Sequence, residues 1–134
     1  MNVVMQVAWV ALGGALGAVA RFGTSSLCAH VGWDRNFPAS TFIVNGVGCF
    51  LIGLVTAQIA AHLHEPSGRI AVAFVVTGFL GGLTTFSAFA WQSRELLTRE
   101  YYWLFALNVG GSVLVGLGAV VAGSAVGAAL GRVE

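Results

Sequence analysis

The side chains able to do chemistry in this sequence are few and mostly neutral. Asn45, Ser112, Thr84, Thr85 and Ser87 supply hydrogen-bond donors inside long apolar runs, Phe86 and Phe89 supply aromatic rings, and Arg21 supplies a positive charge. The carboxylates lie elsewhere: Asp34, Glu65, Glu95, Glu100 and Glu134 all fall in connecting segments or at the terminus. A proton-coupled carrier needs an ionisable carboxylate or histidine within the membrane. No nucleophile and base pair, phosphate loop or metal cluster is visible either, so an enzyme is not expected. Neutral donors and the positive edges of aromatic rings suit a small anion.

Other reactive residue types carry blander readings. Cys28 and Cys49 have no CxxC spacing and read as small apolar filler. His62 and His64 stand just before Glu65 and Pro66, and read as a solvated loop in preference to a metal patch. Nucleic acid is not an expected partner.

These residues need elements to position them, and the composition names the kind. Of the 134 residues 57% are hydrophobic and 8% charged, far from the balance of a soluble domain. Cutting the chain at its charges leaves four apolar stretches, approximately 3–27, 37–61, 70–91 and 102–126. Each is near the roughly 20 residues that cross a bilayer as a helix. The expectation is an all-α integral membrane protein, one four-helix transmembrane domain over 1–134. The first stretch has no basic leader and runs long for a signal peptide, so it reads as a true span.

Small residues mark the contact faces, because in lipid close backbone approach replaces the hydrophobic effect as the source of helix association. Gly13, Gly17 and Arg21 follow at i, i+4 spacing, which puts the arginine on the small-residue face. There an anion-attracting or carbonyl-binding role is favoured over snorkelling. In the second stretch Thr41, Asn45, Gly48 and Thr56 share a face behind Pro38, and in the fourth Asn108 and Ser112 stand beside Gly111 and Gly116. Both polar stripes have two readings, helix glue or pore lining.

Orientation is barely specified. With an even number of spans Arg69 and Arg132 lie on the side of the termini and Arg35, Arg94 and Arg99 on the other, and there is no lysine. So flat a split instructs the insertion machinery weakly, and two oppositely inserted copies would pair about a two-fold axis in the membrane plane. The alternative is that Arg94 and Arg99 together fix one orientation.

The third stretch contains GFLGGLTTFSAF, Gly78 to Phe89, inside a run without charge from Ile70 to Ser93. Gly81 and Gly82 weaken a helix, and the threonine hydroxyls can turn back onto the backbone. Unwound backbone at bilayer depth needs partners for its carbonyls, and a bound cation is one. An intact helix with a small-residue packing face is the other reading.

That run, with GGALGAVARFG (Gly13 to Gly23), FIVNGVGCFLIG (Phe42 to Gly53) and NVGGSVLVG (Asn108 to Gly116), resembles the Fluc/CrcB family of bacterial fluoride channels in all four stretches and in order. The resemblance implies an antiparallel, dual-topology homodimer in the cell inner membrane, a third helix broken near mid-membrane, and passive export of fluoride that protects the cytoplasm. By motif position it implies Phe86, Phe89, Asn45 and Ser112 in the fluoride pathway, Thr41 as a pore-wall or central polar residue, and Arg21 at the vestibule. It further implies a structural sodium ion on the dimer axis held by the backbone carbonyls of Gly81 and Thr84. Phe79 is left as packing. The competing expectations are a dual-topology exporter of small organic cations, which in relatives of that size carries a membrane glutamate absent here, and an assembly subunit without transport.

Overall fold

The computed structural model describes residues 2–131, with the backbone alone at Ala61. Arg132 and Glu134, counted above on the terminal side, lie outside the described residues. Among the described residues four stretches of helix are long and apolar enough to cross a membrane: Val3–His30, Ala39–Ile59, Pro66–Thr98 and Tyr102–Leu130. The third reaches beyond the 70–91 expected from the charges, because Arg94 and Glu95 sit in its last turns without ending it.

Helix α1 (Val3–His30) starts where Asn2 Oδ1 accepts the Met5 N–H at 2.9 Å. It ends in a Schellman turn: Trp33 N–H donates to Cys28 O, Gly32 N–H to Ala29 O, and Gly32 takes φ +78°. Asp34 then turns its Oδ1 onto the Ser40 N–H at 2.8 Å and opens α2 (Ala39–Ile59). A single 3₁₀ turn, Ala60–His62, leads to Pro66 at the first position of α3 (residues 66–83). In the connection His62 Nδ1 lies 3.1 Å from Glu65 Oε1, and that hydrogen bond holds the Glu65 carboxyl below its ordinary range. Both side chains are exposed.

Within α3 the turns widen to a π-helix over Val72–Leu80, and Gly81–Leu83 returns to α geometry. The break comes after the glycines. Thr84 at φ −85°, ψ 154° and Thr85 at φ −152°, ψ 116° are extended, and α4 (Phe86–Thr98) begins beyond them. Gly81 and Gly82, expected to weaken the helix, are themselves helical; the threonines break it, because extended backbone suits a β-branched residue and their side chains supply local bonds. Thr85 Oγ1 caps α4 by accepting the Ala88 N–H. A second Schellman turn, Tyr101 N–H to Leu96 O and Glu100 N–H to Leu97 O, leads into α5 (Tyr102–Leu130).

Packing follows the glycines. A Cβ at Gly13 or Gly17 would overlap the α3 backbone at Phe74, Phe79 and Leu83, and one at Gly82 would meet Gly14 of α1. In the same way Gly53 of α2 and Gly123 and Gly127 of α5 leave no room for a side chain between those backbones. The bundle is therefore two close pairs, α1 with α3 and α2 with α5. Val44, Leu80 and Leu83 join the pairs, with Ile52 and Phe79 packed against them. Leu12, Leu16, Val19, Leu114, Leu117 and Val121 point outward, as lipid-facing side chains do.

Candidate functional site: a groove at the helix break

The two tight pairs leave a groove of about 430 Å³ where they meet. Its walls come from α2, from both halves of the broken helix and from α5, and they include Asn45, Gly81, Thr84, Phe86, Phe89 and Ser112. Six of the eight residues picked out in the sequence thus share one space. Thr41 does not: it is buried at the start of α2, one turn before Asn45. Arg21 also lies outside the groove lining, half-buried on α1 one turn after Gly17.

The break is clamped from another helix by one side chain. Asn45 Oδ1 accepts the Thr85 N–H at 2.8 Å, and Asn45 Nδ2 donates to the Thr85 carbonyl at 3.2 Å. One carboxamide thereby satisfies both polar groups of an extended residue at membrane depth, where water cannot. Thr84 bonds backward, its Oγ1 donating to the Leu80 carbonyl at 2.9 Å. Its methyl sits in the notch at Gly48, where a Cβ would overlap it.

In an uninterrupted α-helix the Thr85 N–H would donate to Gly81 O and the Ala88 N–H to Thr84 O. Here both are diverted, one to Asn45 and the other to Thr85 Oγ1 at 3.2 Å. The carbonyls of Gly81 and Thr84 lose those donors, and both residues line the groove. Neutral carbonyl oxygens are the ligand type that hard monovalent cations accept without a counter-charge. Among the described residues no cluster of three His, Cys, Asp or Glu side chains could hold a metal.

Phe86 and Phe89 stand at the start of α4 with ring centroids 5.5 Å apart and planes inclined by 42°. Phe86 is 79% exposed in the single chain, so the groove opens to the outside of the protomer at this ring. Farther along, Asn108 Nδ2 donates to Ser93 Oγ at 3.0 Å, and Ser93 Oγ donates to the Phe89 carbonyl at 2.7 Å. Asn108, 1% exposed, is helix glue and does not line the groove. The sequence reading passed over Ser93; its one available signal was a hydroxyl four residues after Phe89, a spacing suited to back-bonding in any helix.

The chain is similar to known proteins along most of its length. The family model described as CrcB-like protein, Camphor Resistance (CrcB), matches residues 8–124. A protein of Acidobacterium capsulatum named fluoride-specific ion channel FluC is 40% identical over 124 residues, covering 92% of this chain and 96% of its own. Proteins of the same name from Paracoccus denitrificans and Opitutus terrae are 42% and 45% identical, covering 90% and 84% of this chain and 93% and 84% of their own. Four membrane-length helices, a third one broken at its threonines, and a family match that runs through all of them lead to one conclusion: the chain belongs to the CrcB-like family.

Proposed function

We propose that this protein is a fluoride channel, passive and selective, that lets the anion leave the cytoplasm across a bacterial inner membrane. The observation that carries the reading is the convergence of Asn45, Ser112, Phe86 and Phe89 on the groove at the helix break. Relatives with the fluoride channel name support the choice of ion. Hydrogen fluoride crosses lipid as a neutral acid and dissociates in the less acidic cytoplasm; the channel gives the trapped anion a way out.

The chain supplies two kinds of weak ligand for a dehydrated anion. Ser112 and the second amide hydrogen of Asn45 donate hydrogen bonds, since only one is committed to Thr85. Phe86 and Phe89 offer ring edges, which carry positive charge without the tight hold of a fixed cation. Conduction needs binding favourable enough to enter and weak enough to leave. Arg21 raises anion concentration at the approach.

The functional unit in this proposal is an antiparallel homodimer. A ring as exposed as Phe86, beside an open groove, calls for a covering surface, and a second copy related by an in-plane two-fold axis fits the flat arginine split. A structural sodium ion belongs to the same proposal: the carbonyls of Gly81 and Thr84 would hold it, and it would supply positive charge that satisfies the broken helix.

The test is efflux from liposomes followed with a fluoride electrode. Rapid, uncoupled loss of fluoride with chloride retained is expected. Proton-coupled exchange of an organic cation, or no efflux from folded protein, would overturn the assignment.

A further inference from the structure

A second cleft, of about 170 Å³, lies away from the groove, at the end of the bundle where α1 passes to α2 and α4 to α5. Its polar lining is Asp34, Arg35, Asn36, Gln92, Glu95 and Arg99. Two guanidinium groups and two carboxylates face one small space, so neither a simple anion nor a simple cation matches it. The charges are only loosely paired with each other. Arg99 Nη2 is 4.0 Å from Glu95 Oε1, and Asp34 uses Oδ1 on the Ser40 N–H, leaving Oδ2 available. Gln92 Oε1 is buried without a hydrogen-bond partner among the described residues. A buried acceptor left unpaired is costly, and it calls for a donor from outside the chain.

The level of the cleft points to the source of that donor. Trp33, Trp91, Trp103, Tyr101 and Tyr102 are all exposed at this end of the bundle, which leaves Trp9 as the only tryptophan elsewhere. Exposed tryptophan and tyrosine collect at the height of lipid headgroups. The cleft therefore opens where phosphates and headgroup amines are concentrated, beside a wall made by Phe37, Pro38 and Leu96.

We propose that this cleft is a binding site for the headgroup of a zwitterionic phospholipid with a primary ammonium, phosphatidylethanolamine in chemical class. The phosphate pairs with Arg35 and Arg99, for which the guanidinium fork is suited. The ammonium, with three donors, bonds the free carboxylate oxygens of Asp34 and Glu95 and, once the Gln92 side chain turns into the cleft, Gln92 Oε1. Gly32 at φ +78° contributes space, since a Cβ there would come within 3.0 Å of Arg35 Nε. A trimethylated amine has no N–H to give, and an anionic headgroup without an amine leaves Gln92 Oε1 and the carboxylates facing a phosphate.

Native mass spectrometry of the full chain in detergent tests this without reference to ion flux, so its outcome is independent of the fluoride reading. Phosphatidylethanolamine, phosphatidylcholine and phosphatidylglycerol with identical acyl chains are offered at equal concentration. Retention of the first is expected to exceed each of the others by about tenfold, the scale of one hydrogen bond to a charged group. That preference should vanish in Gln92→Leu and persist in Arg69→Gln at the far end of α3, while Arg35→Gln/Arg99→Gln should retain less of all three lipids. Parity of phosphatidylethanolamine with either competitor overturns the proposal, as does a preference that survives in Gln92→Leu or undiminished lipid retention in Arg35→Gln/Arg99→Gln. Displacement of the lipid by equimolar soluble phosphoethanolamine overturns the assignment to a lipid.

Discussion

Asn45 grips Thr85 at both backbone groups, 2.8 Å to the N–H and 3.2 Å to the carbonyl, across 40 residues of sequence. Without it the extended residue would leave two polar groups bare at membrane depth. Asn45→Leu is therefore expected to cost about 2–4 kcal/mol, two unsatisfied groups at roughly 1–3 kcal/mol each with partial relaxation. Thermal unfolding in detergent checks the loss. Fluoride efflux should fall with it, because the same carboxamide lines the groove.

The ring pair separates packing from transport. Phe86 is largely exposed in the protomer and Phe89 partly so, so Phe86→Ile and Phe89→Ile should leave the fold intact while removing the ring edges. Efflux is expected to drop by about tenfold or more in each, a scale set by interactions of roughly 1 kcal/mol per ring acting together. Phe79→Ile, which packs against Val44, Leu80 and Leu83, should disturb stability more than flux. Normal efflux from folded Phe86→Ile and Phe89→Ile would return both rings to packing.

Asn108, Ser93 and the Phe89 carbonyl form one chain, and its members should not act independently. Asn108→Leu and Ser93→Ala are each expected to destabilise by about 1–3 kcal/mol. The double variant should cost less than the sum, with a coupling of roughly 0.5–3 kcal/mol. Simple additivity in unfolding experiments would show that the two residues do not share a bond.

If the carbonyls of Gly81 and Thr84 hold sodium, exchange of all sodium for a large organic cation should lower efflux or dimer integrity while fluoride over chloride preference is kept. Sodium returned at the same ionic strength should restore both. Indifference of activity and assembly to thorough removal would leave the break held by Asn45 and Thr85 Oγ1 alone.

Glu100 is the one non-glycine residue with positive φ among the described residues, at 61°. It closes α4 at the position where glycine is favoured. Glu100→Gly is expected to raise stability by about 1 kcal/mol, the order of the left-handed penalty for a side-chain-bearing residue. Glu100→Val should lower it, and both changes should leave efflux untouched.

Much of the molecule was legible in the sequence for a simple reason. In lipid every backbone group must be bonded internally, so apolar runs of sufficient length can only be helices, and their count and order follow from the positions of the charges. Small residues at i, i+4 likewise announce close backbone approach, as at Gly13 and Gly17. The family motifs gathered the groove residues, but Thr41 and Arg21 illustrate the limit. A shared helical face did not tell whether a side chain turns into the groove or stops beside it.

The tertiary structure alone decided where the third helix breaks and what holds it open. Glycine propensity drew attention to Gly81 and Gly82, yet propensity is a local energy of about 1 kcal/mol per residue. The clamp that Asn45 places on Thr85, with the notch that Gly48 opens for the Thr84 methyl, outweighs it from a different helix. The same holds for Asn108, open to two readings in the sequence and bonded to Ser93 on the facing helix. A polar residue on an apolar helix states that a partner must exist; which partner it is depends on the rotation and depth of the neighbouring helix, and these are set by packing.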